Sequence, residues 1–383
     1  VQDNSVRRSI NFTNIQKVKT TPEAKKPIYD IENFSFTYAY SDVTRRNYSI
    51  SEFLQQNYKG AVGYTFAPEY DGWKPFEESE GFKSPYLKWI KDFNVNPIPN
   101  NISVRADLDR QFIKTVYRNR EGEQPNFEKF FNFNRTYNVR WNITQGLSLD
   151  YNARAHAVID ELEGEVDSDE KRDVIWENIK NLGRLRDFNQ DISANYKLPL
   201  DKFPFTDWLN ADYRYTAGYT WTAATFSPAE NTFTPDDDVN LNFGGNIENN
   251  RGQAVTGKFD MVKLYNKVKI LKDVNTPPRA RRPNSRAQAA DTIKNINDFK
   301  LAKGFLRTLM MVRSINATYN LDEGTLLSGF TPTPFLFGMD SSFNAPGLPF
   351  ILGGQDANIR YEAADKGWIV NNPELTTPFS QSR

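Results

Sequence analysis

Few residues in this chain have the types and spacing that chemistry needs. Histidine occurs once, at His156, and cysteine not at all. A soft metal site or a histidine-based triad therefore lacks its parts. His156 reads instead as a wet side chain on the polar side of a strand. Asp236, Asp237 and Asp238 carry the oxygens that Ca²⁺ takes, but the EF-hand spacing and its glycine are missing, which favours a solvated acidic loop. Arg279, Arg281, Arg282 and Arg286 sit among prolines. That cluster suits lipopolysaccharide phosphate, nucleic acid, or a solvated linker with no ligand at all. Gly60, Gly63, Gly244 and Gly245 form no phosphate loop; in strands such residues mark bends or close backbone approach. The inventory predicts no catalytic residue, no cofactor and no metal.

One stretch stands apart. Leu326–Gly354 is apolar and proline-rich, with a single charge at Asp340. Exposed apolar patches mark partner surfaces, so Phe330, Phe335, Phe337, Phe343 and Phe350 are candidate contact residues. The alternative is that this loop folds onto the wall that carries it.

That wall is visible in Phe131–Ile159. Phe133, Tyr137, Val139, Trp141 and Ile143 alternate with Asn134, Thr136, Asn138, Arg140 and Asn142; Arg135 breaks the apolar lane. After Gln145-Gly146, Leu147, Leu149, Tyr151, Ala153, Ala155 and Ala157 alternate with Ser148, Asp150, Asn152, Arg154 and His156. A period of two is a two-faced strand, and a glycine break between two such runs is a hairpin. Soluble strands are about five or six residues long, whereas about eleven, tilted about 45°, span roughly 26 Å, the apolar band of an outer-membrane barrel. Asn138, Arg140, Asn142, Asp150, Asn152 and Arg154 would face a wet lumen. Val139, Trp141, Ile143, Tyr213, Tyr215 and Tyr219 would face lipid.

Composition agrees with a barrel. Lys plus Arg equals Asp plus Glu at 48 each, which argues against nucleic acid as a partner. Mean hydropathy is −0.67, because half of every spanning strand is polar. The 18 Tyr and 28 Phe can supply aromatic girdles. No apolar run is long enough for a spanning helix. No signal peptide opens the chain, so either the signal was removed or this is an internal piece of a longer protein.

Along the chain, further strands are expected near Ile10–Phe12 and over Asn33–Tyr40, Tyr58–Phe66, Asp92–Pro97, Ile102–Tyr117, Phe188–Leu198 and Leu209–Trp221. Others are expected over Val239–Ile247, Ala254–Phe259 and Phe305–Leu321, with a weak one near Ala357–Tyr361, for ten to thirteen in all. Ser41–Asn57 reads as a charged connector. Helices are expected near 169–182 and 260–271, and 326–354 is the apolar loop. The turns near Pro97–Asn100, Gln145-Gly146 and Pro199–Asp207 should share one rim. Short turns are usually periplasmic, which would place the helical inserts outside the cell.

Several stretches resemble the SprA (Sov) family. They are SVRRSINFTN (5–14), FSFTYAYSDVTRRNYSISEFLQQNYKGAVGYTF (34–66), LKWIKDFNVNPIPNNISVRADLDRQF (87–112), LPLDKFPFTDWLNADYRYTAGYTW (198–221), DMVKLYNKVKIL (260–271) and segments within 352–379. That family is the outer-membrane translocon of the Bacteroidetes type IX secretion system, tied also to gliding motility. The resemblance implies an all-β fold, part of a very large antiparallel transmembrane β-barrel with short helices in its loop inserts. Residues 1–383 would form one segment of it and pair with other segments of the same barrel. It also implies partners: a PorV-type smaller barrel, a plug protein, type IX cargo, and outer-membrane lipid with lipopolysaccharide. Rival readings are a TonB-dependent-type nutrient receptor barrel, a barrel enzyme, or a long-stranded surface adhesin.

Overall fold

The computed structural model describes residues 3–18, 27–68, 72–78, 88–118, 124–224, 244–269, 271–272, 300–370 and 379–382. The acidic trio at Asp236, the arginines from Arg279 to Arg286 and part of the Val239–Ile247 run lie outside them.

Alternation builds one antiparallel sheet. Its strands are β1 (Asn4–Ile15), β2 (Phe34–Arg46), β3 (Ile50–Phe66), β4 (Asn101–Tyr117), β5 (Asn126–Asn142) and β6 (Leu147–Val158). They continue as β7 (Arg184–Leu198), β8 (Leu209–Thr222), β9 (Gly245–Asp260), β10 (Ser314–Phe330) and the short β11 (Phe379–Ser382). Each strand pairs with its neighbour in sequence, so the eleven form a meander, open at the β1 and β11 edges. The fold is all-β, and the helices are short and sit in connections. They are α1 (Lys88–Lys91), α2 (Asp169–Lys180), α3 (Met261–Lys267), α4 (Lys300–Leu309), α5 (Leu348–Ile351) and α6 (Ile359–Asp365). Among the described residues no helix is long and apolar enough to cross a membrane.

Local chemistry sets the tight connections. The Asn47 side chain accepts from the Ser49 and Ile50 amides at 3.0 and 2.8 Å, which turns β2 into β3. Thr144 Oγ1 accepts from the Gly146 and Leu147 amides in the β5–β6 turn. Gly146 is needed there because a Cβ would meet the Lys197 carbonyl at 2.9 Å. In α2, Ser168 caps the first turn, Asp169 and Glu170 complement its dipole, and Gly183 at φ +70° follows its end.

Several expectations fail for identifiable reasons. Ser41–Asn57 is no connector: β2 and β3 run through it around a three-residue turn. Backbone ladders continue past the alternating band, because pairing does not require the side-chain pattern. Asp92–Pro97 contributes one bridge, Val95 to Trp73, rather than a strand. Residues 300–309 are helical, and β10 begins only at Ser314. Over a short apolar run the two periods are ambiguous, and Leu306 and Met310, four apart, pack with Tyr265. Ala357–Tyr361 enters helix α6 rather than a strand. Ala254–Phe259 is the end of one long β9.

The rims sort differently from expectation too. The connections at 97–100, 143–146 and 199–208 do share a rim, but α3 leaves from that same rim while α2 leaves from the other. The opposite rim carries the tight Asn47–Ser49 turn. Turn length therefore gives no orientation.

Candidate functional site

The register lays the polar residues side by side. Asn138 stands opposite Asn152, which stands opposite Asp191, then Gly218 and Asn250. Arg140 faces Asp150 at 3.7 Å, and Arg154 lies between Thr136 and Asn189. Asn142 pairs with Ser148. All six residues expected on a wet face thus share one face. His156 is on it as well, with Nδ1 2.8 Å from Asn134 Oδ1. Arg105 grips Asp107, and Lys59 reaches Asp109 at 3.2 Å. Among the described residues no cluster could hold a metal ion. The face offers solvent, paired charge and amides across ten long strands.

The other face is apolar. Its rows include Val139–Tyr151–Ile192–Ala217 and Trp141–Leu149–Ala194–Tyr215. Tyr213 stands between Tyr196 and Val255. Ile143 lies just beyond β5, where its carbonyl accepts from the Asn96 amide. The Trp141 indole donates to the Asn96 carbonyl at 2.7 Å.

Two inserts from one rim fold back over this apolar face. The first is the segment 159–183. Ile175 and Ile179 of α2 pack on the core around Phe131 and Phe133. Glu161, whose side chain is 3 % exposed, takes Arg110 of β4 in a two-pronged pair at 2.5 and 2.8 Å. Glu165 meets Lys114 at 2.6 Å. Arg110 and Lys114, which stand in the apolar lane, thus find their counter-charges on the insert. At its base, a hydrogen bond from Arg184 holds the Asp160 carboxyl below its usual range.

The second insert, 331–369, roofs β6–β10. Phe350, Ile351, Ile359, Ala363 and Trp368 close over Phe188, Tyr219, Trp221 and Ile247. Phe350 meets Tyr219 edge-on at 6.1 Å. Asn249, fully buried, uses its whole amide to hold the roof. Its Nδ2 donates to the Phe350 and Gly354 carbonyls at 2.8 and 2.9 Å, and its Oδ1 accepts from Gln355. Thr325 donates to Gln355 at 2.5 Å. The Trp221 indole donates to the Pro332 carbonyl, and the Tyr215 hydroxyl to that of Leu352. Contact is close enough at Gly338 (φ +77°) that a Cβ would fall 2.8 Å from the Tyr219 ring.

Two expectations are corrected here. Tyr219, expected to face lipid, is 1 % exposed because the chain covers it. Phe330 and Phe350 are buried and cannot meet a partner, whereas Phe335, Phe337 and Phe343 are exposed at 61, 53 and 52 %. The apolar loop thus folds mainly onto its own wall. A signal for the roof was present: Asn249 and Thr325 interrupt the apolar lane side by side on neighbouring strands. Apolar surroundings cannot hydrogen-bond such side chains, and here the roof does.

Asn249→Leu should loosen the roof. Each buried group left unpaired costs about 1–3 kcal/mol. Leu takes the Asn249 bond from the Gly354 carbonyl and leaves the Phe350 carbonyl and the Gln355 amide with only their bonds inside the roof, from the Gly353 amide and to the Gly353 carbonyl. Tryptic cleavage at Arg360 and Lys366 should rise and the melting temperature fall. Unchanged cleavage would show that the roof does not depend on this amide.

No family profile matches the chain, and no curated protein matches it.

Proposed function

We propose that this chain is one segment of a very large outer-membrane β-barrel that conducts folded proteins, as the resemblance to the type IX translocon implies. The observation that carries the reading is the division of the sheet. One face is polar and open along strands of 12–17 residues. The other is apolar, roofed at one rim and, below that margin, exposed along β7, β9 and β10 at Tyr196, Val255, Ile315 and Tyr319.

The margin of the roof supports it further. The last buried residue in the apolar lane is Phe133 on β5, Ala153 on β6, Gln190 on β7, Ala217 on β8, Asn249 on β9 and Glu323 on β10. Phe133 pairs with Ala157, so the margin first drops four residues. It stays level to Gln190, drops two to Ala217, rises two to Asn249 and drops two to Glu323. The net drop of six residues at roughly 3.3 Å, across five spacings of about 4.8 Å, slopes by roughly 40°, as strands in a membrane barrel tilt. A level waterline crossing tilted strands has this slope. Strands of seventeen residues, roughly 40 Å tall at that tilt, also exceed the roughly 25 Å apolar band. Their upper ends therefore need a protein cover.

On this reading Asn152 and Arg214 line the conduit. Cysteine at either position in the full-length protein should react with a water-soluble maleimide, and a bulky polymer maleimide should stop cargo release. Normal export past a fully labelled face would remove the channel reading.

A further inference from the structure

Arg135 is the residue that neither face explains. It sits in the apolar lane of β5, between Ala106 and Ala155. Its guanidinium lies 5.4 Å from the Phe133 ring centroid. Its Nε is buried without a hydrogen-bond partner, and no carboxylate among the described residues pairs with it. Arg110, Lys114 and Lys129 on the same face each have a glutamate from the first insert. Arg135 stands below that insert, at the roof's lower margin.

A groove opens beside it. Its volume is about 150 Å³, and its walls include Tyr137, Val139, Tyr151, Phe188 and the roof turn at Phe335–Phe337. Phe337 packs against Tyr151 at 5.6 Å. The turn suits an apolar medium. Pro332 and Pro334 have no N–H to satisfy, and the Phe335 and Met339 amides bond within the turn, to the Met339 and Leu336 carbonyls. Between Thr331 and Gln355 the one charge is Asp340, whose carboxylate caps the Asn344 and Ala345 amides. A cation at the end of an apolar groove, level with the margin of a lipid belt, matches a phosphate that carries an acyl chain.

We infer that the groove between Phe335–Phe337 and β4–β7 binds an anionic lipid, with its acyl chain along Tyr137, Val139 and Tyr151 and its phosphate on Arg135. This rests on the barrel reading and adds a headgroup preference to it. A carboxylate or a partner protein would meet Arg135 equally well as a charge. The groove's continuity with the bare lane, and the lack of charge around it, favour lipid.

The test uses the full-length protein in vesicles of brominated lipid, with a fluorophore on Leu336→Cys or on Tyr213→Cys; the segment has no native cysteine. Brominated phosphatidylglycerol or lipid A should quench the label at 336 several-fold more than brominated phosphatidylcholine. The label at 213 should be quenched alike by all three. Arg135→Gln should abolish the preference at 336, and Arg135→Lys should retain part of it. A preference for lipid A would assign this rim to the outer leaflet, and one for phosphatidylglycerol to the inner. Equal quenching at 336 by all lipids overturns the site but leaves the barrel. No quenching at 336 with quenching at 213 means a protein covers the groove, which also overturns it. No quenching at 213 removes the barrel reading itself.

Discussion

Val255→Arg should, on the barrel reading, destabilise the protein in lipid vesicles by about 2–4 kcal/mol, the cost of an arginine near the bilayer midplane on a barrel's lipid face. Thr256→Arg, one residue away, should cost little. Val255 lies in the row Tyr213–Val255–Tyr319, well below the roof margin at Glu323, and is 42 % exposed. Thr256 stands in the next row, with Asp212 and Thr318, on the polar face. The two positions share a strand and a depth, so propensity and position cancel in the comparison. What differs is the medium each side chain meets. Denaturant titration in lipid vesicles measures both. Equal losses would mean that both faces are wet, and the chain would then be a wall of a soluble assembly such as a long-stranded adhesin. Tyr219→Arg is the wrong probe for this purpose, because it would disrupt the packing under Phe350 instead of entering lipid.

How much could be read beforehand follows from what each pattern reports. Period-two alternation reports which side chains share a face, so the partition of Asn138, Asn152 and Arg154 from Val139 and Trp141 was legible. So was the β5–β6 hairpin at Gln145-Gly146. Alternation says nothing about what covers a face. The roof over Tyr219 depends on contacts between residues about a hundred positions apart, such as Asn249 with Phe350. Only the amides in the lane hinted at it. Strand ends were illegible for a related reason. Past the alternating band polar residues are tolerated on either side, and Ser41–Asn57 reads as loop while its backbone stays paired. Residues 300–309 show the opposite failure, an apolar run short enough to satisfy either period.

Removing the Glu161 carboxylate should have an effect at least as large. Glu161→Gln leaves Arg110 in the apolar lane without its counter-charge, and Lys129, 3.8 Å away, loses its counter-charge too and keeps only the Leu162 carbonyl. Breaking a buried pair from one side costs about 3–5 kcal/mol, because a desolvated charge remains. Arg110 and Glu161 have side chains 18 and 3 % exposed, so solvent screens them little. The loss should appear first as hydrogen exchange in α2, which this pair helps to hold over Tyr58 and Phe131. The double replacement Arg110→Met with Glu161→Met should recover most of the stability, since it removes both charges and leaves side chains that match the apolar lane. Protection of α2 unchanged in Glu161→Gln would mean that Ile175 and Ile179 alone seat the insert. A double variant as unstable as the single would mean that the pair selects the docked geometry instead of merely cancelling charge. Either result would separate how this insert is held from how 331–369 is held, where amides rather than ions make the attachment.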